Sequence, residues 1–104
     1  MGKKHYNINY NPISLLKLGN HIEFVACKSE RSALTLLDKY KDALKVIKST
    51  PEICPKYFSD ISSNAEFRYK LFGNRYRIVF EILPNIIYVH DIQDCRQDTN
   101  KNLI

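Results

Sequence analysis

The chain lacks the marks of a membrane protein, a disulfide framework or a metal centre. No apolar run approaches the ~20 residues that a membrane span requires. The basic opening Met1-Gly2-Lys3-Lys4-His5 is not followed by the apolar stretch of a secretory signal. Cysteine occurs three times, at Cys27, Cys54 and Cys95, with no C-x-x-C pair. That usage predicts reduced thiols in a cytoplasmic protein. The three histidines, His5, His21 and His90, are equally scattered, so the clustered ligands of a zinc site are missing and no cofactor is expected. Internal repeats and low-complexity tracts are absent as well. The 104 residues read as a single domain, 1–104.

What is present is aromatic and basic. Seven Tyr and five Phe stand in a chain that is 44% hydrophobic. A chain of this size buries roughly 60–65% of its unfolded surface, enough for one modest core. The formal net charge is +5 and the pI near 9.2. In so small a domain that balance favours a polyanionic partner: RNA, DNA or an acidic protein segment. Many soluble domains are mildly basic without consequence, so where the charge sits carries more weight than its sum.

His5–Tyr10 alternates, with Tyr6, Ile8 and Tyr10 on one side, and predicts a first strand. Asn11-Pro12 supplies an N-cap and a proline at the first helical position. Leu15, Leu18, Ile22 and Val25 then recur at helical spacing, so a first helix is expected from Ile13 to about Lys28. Ser29 or Ser32 can cap a second helix that runs to about Lys48. Its stripe is Ala33, Leu36, Leu37, Tyr40, Ala43, Leu44 and Ile47, with Asp38, Lys39, Lys41, Asp42 and Lys45 as a solvated face. Ser49-Thr50-Pro51 ends it, because proline cannot continue a helix and disfavours helical geometry before itself. Residues 51–65, with two prolines and several polar turn formers, read as a connector.

Three strands follow. In Phe67–Leu71 the odd positions Phe67, Tyr69 and Leu71 are apolar, and Arg68 and Lys70 alternate with them. In Tyr76–Ile82 the even positions Tyr76, Ile78, Phe80 and Ile82 are apolar, leaving Arg77, Val79 and Glu81 opposite. Strand side chains have a period of two, so this pattern predicts one face on the core and a second, cationic face carrying Arg68, Lys70 and Arg77. Gly73-Asn74 and Pro84-Asn85 mark the tight turns. Ile86–Ile92 is so apolar that parity does not assign a face to His90. The expected fold is α+β: a helical hairpin packed on one face of a small, mostly antiparallel four-stranded sheet, in the order β-α-α-β-β-β.

This layout resembles the RelE/ParE superfamily of toxins from bacterial type II toxin–antitoxin modules. The resemblance spans nearly the whole chain. It rests on the opening Tyr-x-Ile-x-Tyr strand with Asn11-Pro12, and on the exit Ser49-Thr50-Pro51-Glu52-Ile53-Cys54-Pro55. Its strongest part is Tyr76-Arg77-Ile78-Val79-Phe80-Glu81 followed by Asp94-Cys95-Arg96-Gln97-Asp98. It implies one of two activities. RelE-like members are endoribonucleases that cut mRNA in the ribosomal A site; ParE-like members share the fold and inhibit DNA gyrase without cutting RNA. Either way it implies a cognate antitoxin as partner, and no membrane.

RNA cleavage by 2′-hydroxyl attack needs a proton acceptor, charge at the phosphorane-like transition state and a proton donor for the leaving oxygen. The resemblance places Arg77 beside the scissile phosphate and makes Arg96 the C-terminal arginine of the same site. Guanidinium groups suit that role because they stay charged and grip two oxygens at once. Arg68, Lys70 and Arg75 are candidates to position the RNA backbone. Glu81 is either a base or half of an Arg–Glu pair, and His90 either a proton-transfer group or a half-buried strand histidine. Asp94 and Asp98 are expected to frame Arg96. The leading expectation is the ribosome-dependent mRNA endoribonuclease. One departure leaves it open whether another residue fills a missing role, activity is low, or the chain is instead a gyrase inhibitor or a toxin that only binds its antitoxin. RelE-like enzymes usually carry a tyrosine soon after the C-terminal arginine, whereas Thr99–Ile104 contains no aromatic, and Tyr69 and Tyr76 belong by parity to the apolar face.

Overall fold

The structure, a computed structural model, describes residues 6–57 and 67–95. Strand β1 (Asn7–Tyr10) leads into helices α1 (Pro12–Ala26) and α2 (Glu30–Ser49) and a single 3₁₀ turn at Pro51–Ile53. Strands β2 (Lys56–Tyr57), β3 (Phe67–Phe72), β4 (Tyr76–Ile82) and β5 (Ile86–Asp94) complete the fold. It is α+β, with both helices on one face of the sheet and the β-α-α-β-β-β order of the sequence reading preserved around one extra short strand.

The helix starts follow from their caps. The Asn11 side chain accepts from the Ile13 N–H at 3.0 Å, and the Ser29 hydroxyl accepts from the Ser32 N–H at 3.1 Å. Such caps are each worth about 1 kcal/mol. The inward stripe of α2 is Ala33, Leu36, Tyr40, Ala43 and Ile47, all buried. In α1 the stripe is rotated from the expected one: Ser14 and Leu18 are buried while Leu15 is 47% exposed. Ser14 tolerates burial because its hydroxyl donates to the Asn11 carbonyl at 2.6 Å.

The sheet differs from expectation in two respects. It has five strands in the order β1-β5-β4-β3-β2, because Lys56–Tyr57 pairs antiparallel with β3 from within the segment taken as connector. Two residues are too few to show an alternation. The sheet is also mixed, since β1 lies parallel to β5 while the other pairings are antiparallel. The helical hairpin is the crossover that a parallel pairing requires.

Register, rather than strand location, produces the larger correction. A two-residue Gly73-Asn74 loop would set Leu71 opposite Tyr76 and bury the odd residues of β3. Instead Phe72 pairs with Tyr76, so Arg75 is a third residue between the paired positions. One residue of slip turns every side chain over. Phe72 is therefore 4% exposed and Leu71 50% exposed. Arg68 and Lys70 face the helix side with their partners Phe80 and Ile78, and Phe67 and Tyr69 face outward. Gly73 and Asn74 hold φ of 62° and 60°, the left-handed pair of a type I′ turn. A Cβ at Gly73 would also come within 2.7 Å of Leu36 Cδ1. Gly73→Ala is expected to cost about 1–2 kcal/mol, read as a lower urea midpoint.

A second irregularity rephases β5. Phe80 pairs with Val89, but Val79 pairs with Asp91, which leaves His90 as the extra residue of a bulge. Before the bulge Ile87 and Val89 enter the core; after it Ile92 does. That is why alternation alone could not assign His90 a face.

Between α1 and β4 the His21 ring lies 4.8 Å from the Tyr76 ring, and burial pushes its pKa down against the opposing pull of an Ile92 backbone hydrogen bond and Asp94. Lys17 and Arg75 add to the lowering. A histidine lowered on folding leaves stability unchanged above the unfolded value near 6.5 and reduces it as pH falls below that value, because the unfolded chain protonates first. The urea midpoint should therefore drop between pH 7.5 and pH 5.5, and His21→Gln should flatten that slope.

Candidate functional site

With the helices on one side, the outer face of the sheet carries Tyr57, Phe67, Tyr69, Leu71, Arg77, Val79, Glu81, Tyr88, His90, Asp91 and Gln93. The pairings Tyr57↔Phe67, Leu71↔Arg77, Tyr69↔Val79, Phe67↔Glu81, Arg77↔Gln93 and Glu81↔Tyr88 place them there. Among the described strands Arg77 is the basic residue of this face, which is aromatic first and cationic second.

Arg77 stands at the centre of one cluster. Its Nε donates to Gln93 Oε1 at 2.6 Å, and its Cζ lies 5.1 Å from the Tyr57 ring centroid and 5.7 Å from that of Tyr69. The two tyrosine rings meet edge-on at 6.3 Å. Cation–π contact and one charge-assisted hydrogen bond thus orient the guanidinium. Among the described residues Gln93 is its hydrogen-bond partner, so its two amino ends are free to hold an anion.

Gln93 is fully buried and continues the network. Its Nε2 donates to the Tyr57 hydroxyl and to Asp91 Oδ2, each at 3.1 Å. Asp91 Oδ1 accepts from Lys17 Nζ of α1 at 2.6 Å and from the Ile92 N–H at 2.9 Å. The last β1 partner on β5 is Val89, so Asp91 lies beyond the reach of β1, where a helix side chain can approach it.

The second cluster centres on His90. Its Nε2 lies 3.0 Å from Glu81 Oε1, and the Phe67 and Tyr88 rings meet its ring edge-on at 4.8 and 4.7 Å. Glu81 therefore pairs with His90 rather than with Arg77. The bulge brings His90 to the outer face beside Glu81. Arg77 and Glu81 are four residues apart on β4, about 13 Å along the strand. With Val79 between them they flank a strip of sheet rather than converge on one point.

The remaining expected residues are placed elsewhere. Arg68 is not on the face of Arg77: its Nη1 donates to the Cys54 and Glu52 carbonyls at 2.6 and 3.2 Å, tying β3 to the 3₁₀ turn. Lys70 lines a groove of about 340 Å³ with Lys39 and Asp42 on the α2 side. Arg75 grips Asp94 through Nε and Nη2 at 2.9–3.2 Å and sits over the Tyr76 ring. Asp94 thus frames Arg75, whereas Arg96 and Asp98 lie outside the described residues. The expected cationic face of Arg68, Lys70 and Arg77 reduces to Arg77 alone, because the three-residue loop turned β3 over.

Tyr57, Tyr69, Asp91 and Gln93 are the site residues that sequence reasoning missed. Tyr57 was hidden in the connector and Tyr69 by register. Asp91 and Gln93 did leave a trace: two polar residues at i, i+2 in an otherwise apolar strand. No family model matches the chain, and no curated protein matches it.

Proposed function

We propose that the outer sheet face binds single-stranded RNA and cleaves it, and that the chain is a RelE/ParE-like toxin acting on mRNA at the ribosome. The observation that carries this reading is Arg77, held by Gln93 between two tyrosine rings on the same face as a His90–Glu81 pair. Base stacking on aromatic rings and phosphate capture by arginine are the two physical means by which sheets hold single strands. RNA that runs along β4 from Arg77 to His90 meets both clusters.

In this mechanism the Arg77 and Glu81 side chains lean towards each other along β4 when RNA binds, and the free amino ends of Arg77 hold the non-bridging oxygens as the 2′-hydroxyl attacks phosphorus. Glu81 and His90, already sharing a hydrogen bond, take the hydroxyl proton and return one to the leaving 5′-oxygen. The products are a 2′,3′-cyclic phosphate and a 5′-hydroxyl. Tyr57 and Tyr69 stack on a base and supply the aromatic that the tail after Arg96 does not. Exposed Ile13, Leu16 and Phe24 of α1 give a cognate antitoxin an apolar surface to cover.

The test is purified protein with programmed ribosomes, read by primer extension on the mRNA. Cleavage in the A-site codon is expected, and Glu81→Gln should slow it. The spacing of Arg77 from the His90–Glu81 pair also favours a second reading, a non-enzymatic gyrase inhibitor on the same fold. Intact mRNA together with inhibited supercoiling would select that reading; intact mRNA and uninhibited supercoiling would leave an inactive toxin that binds only its antitoxin.

A further inference from the structure

We infer that Gln93 is a positioning residue, which sets the orientation of Arg77 and of Tyr57 together and is itself anchored to the helical layer through Asp91 and Lys17. The inference rests on the reading of the outer face as an RNA site. Its geometry is a continuous polar chain: Lys17 Nζ to Asp91 Oδ1 at 2.6 Å, Asp91 Oδ2 to Gln93 Nε2 at 3.1 Å, and Gln93 Oε1 to Arg77 Nε at 2.6 Å. A branch runs from Gln93 Nε2 to the Tyr57 hydroxyl at 3.1 Å. The chain joins four elements, α1, β5, β4 and β2, and its central side chain, Gln93, has no exposed surface.

The amide is the group this position requires. Its oxygen must accept from a cation while its nitrogen donates to a carboxylate and a phenol oxygen, and only an amide offers both. A glutamate would keep the bond to Arg77 but would set a second carboxylate against Asp91. A leucine would fill the volume and leave Arg77 Nε, Asp91 Oδ2 and the Tyr57 hydroxyl without this partner. Buried polar groups deprived of a partner are costly, so Arg77 would turn away from its present orientation to find water. The tyrosine nearest the guanidinium would lose its hydroxyl anchor at the same moment. Recognition and charge placement are therefore coupled through one residue that need not touch RNA.

The inference has an inexpensive spectroscopic readout. Arg77 Nε–H, bonded to Gln93, should give a slowly exchanging arginine side-chain signal in a ¹⁵N–¹H NMR spectrum of the full chain. Gln93→Leu should abolish its protection and weaken binding of a single-stranded RNA oligonucleotide by on the order of tenfold, measured by fluorescence anisotropy. Gln93→Glu, which keeps size and acceptor, should retain the Arg77 signal while shifting the Tyr57 ring resonances. Circular dichroism confirms that each variant is folded, and Gln93→Glu carries the test if Gln93→Leu is not. An Arg77 signal unaltered by Gln93→Leu, Tyr57 resonances unaltered by Gln93→Glu, or equal RNA affinity for wild type and Gln93→Leu overturns the inference. If the wild type binds no RNA, the functional reading falls separately, and the NMR arm alone decides whether Gln93 positions Arg77.

Discussion

Arg77→Ala is expected to reduce mRNA cleavage by ~10²–10³-fold or more while leaving the fold intact, the magnitude typical of removing one group that stabilises developing transition-state charge. Arg77 is the basic residue that the described strands present on the outer face, and its amino ends have no other hydrogen-bond partner among the described residues. Among the described residues no other arginine is placed to take over its role. Arg68 is committed to the Cys54 and Glu52 carbonyls, and Arg75 to Asp94. Arg77→Lys should recover little, because an ammonium cannot donate to Gln93 and hold two phosphate oxygens in one plane. Stability should fall by about 1–3 kcal/mol without loss of the fold, since truncation takes from the buried Gln93 Oε1 the donor it bonds at 2.6 Å. Single-turnover cleavage on programmed ribosomes measures the loss, and urea unfolding checks the fold. Cleavage by Arg77→Ala at the wild-type rate would remove the proposed mechanism.

How far the site was legible in the sequence depended on which signals were local. Helix starts at Asn11 and Ser29, the apolar stripe of α2, and the inward even residues of β4 all follow from spacing within one element, and they appear in the structure. Arg77 and Glu81 on the outer face follow from the same local parity. What was not legible depends on relations between strands. Whether Gly73-Asn74 closes a loop of two residues or three is decided by the joint packing of Phe72, Leu36 and Tyr40, and no window of β3 contains that information. The His90 bulge is likewise settled by fitting Val89 and Ile92 into one core across a single strand. Both events moved functional groups: the first exchanged Arg68 and Lys70 for Tyr69 and Phe67, and the second brought His90 to Glu81.

The core behind the site sets the second large effect. Phe80→Ala is expected to destabilise the chain by about 3–5 kcal/mol. Phe80 is fully buried in the same cluster as Ile47, Ile78 and Val89, so truncation leaves a cavity that its neighbours cannot close without moving. A domain this small has ~5–10 kcal/mol in total, so the loss takes a large share of it. It should appear as a lower urea midpoint with an unchanged slope, and as a melting temperature lowered by more than about 10 °C. The position also matters for the outer face. Phe80 pairs with Val89, the last residue in phase before His90, and stands between Val79 and Glu81 on β4. Its ring therefore backs the bulge that holds His90 against Glu81. At temperatures where Phe80→Ala remains folded, NMR should show the His90 ring resonances broadened or shifted, while the Arg77 Nε–H signal, on the far side of Val79, stays sharp. Equal disturbance at both positions would mean that the two clusters form one rigid unit, not two separately supported halves of the face.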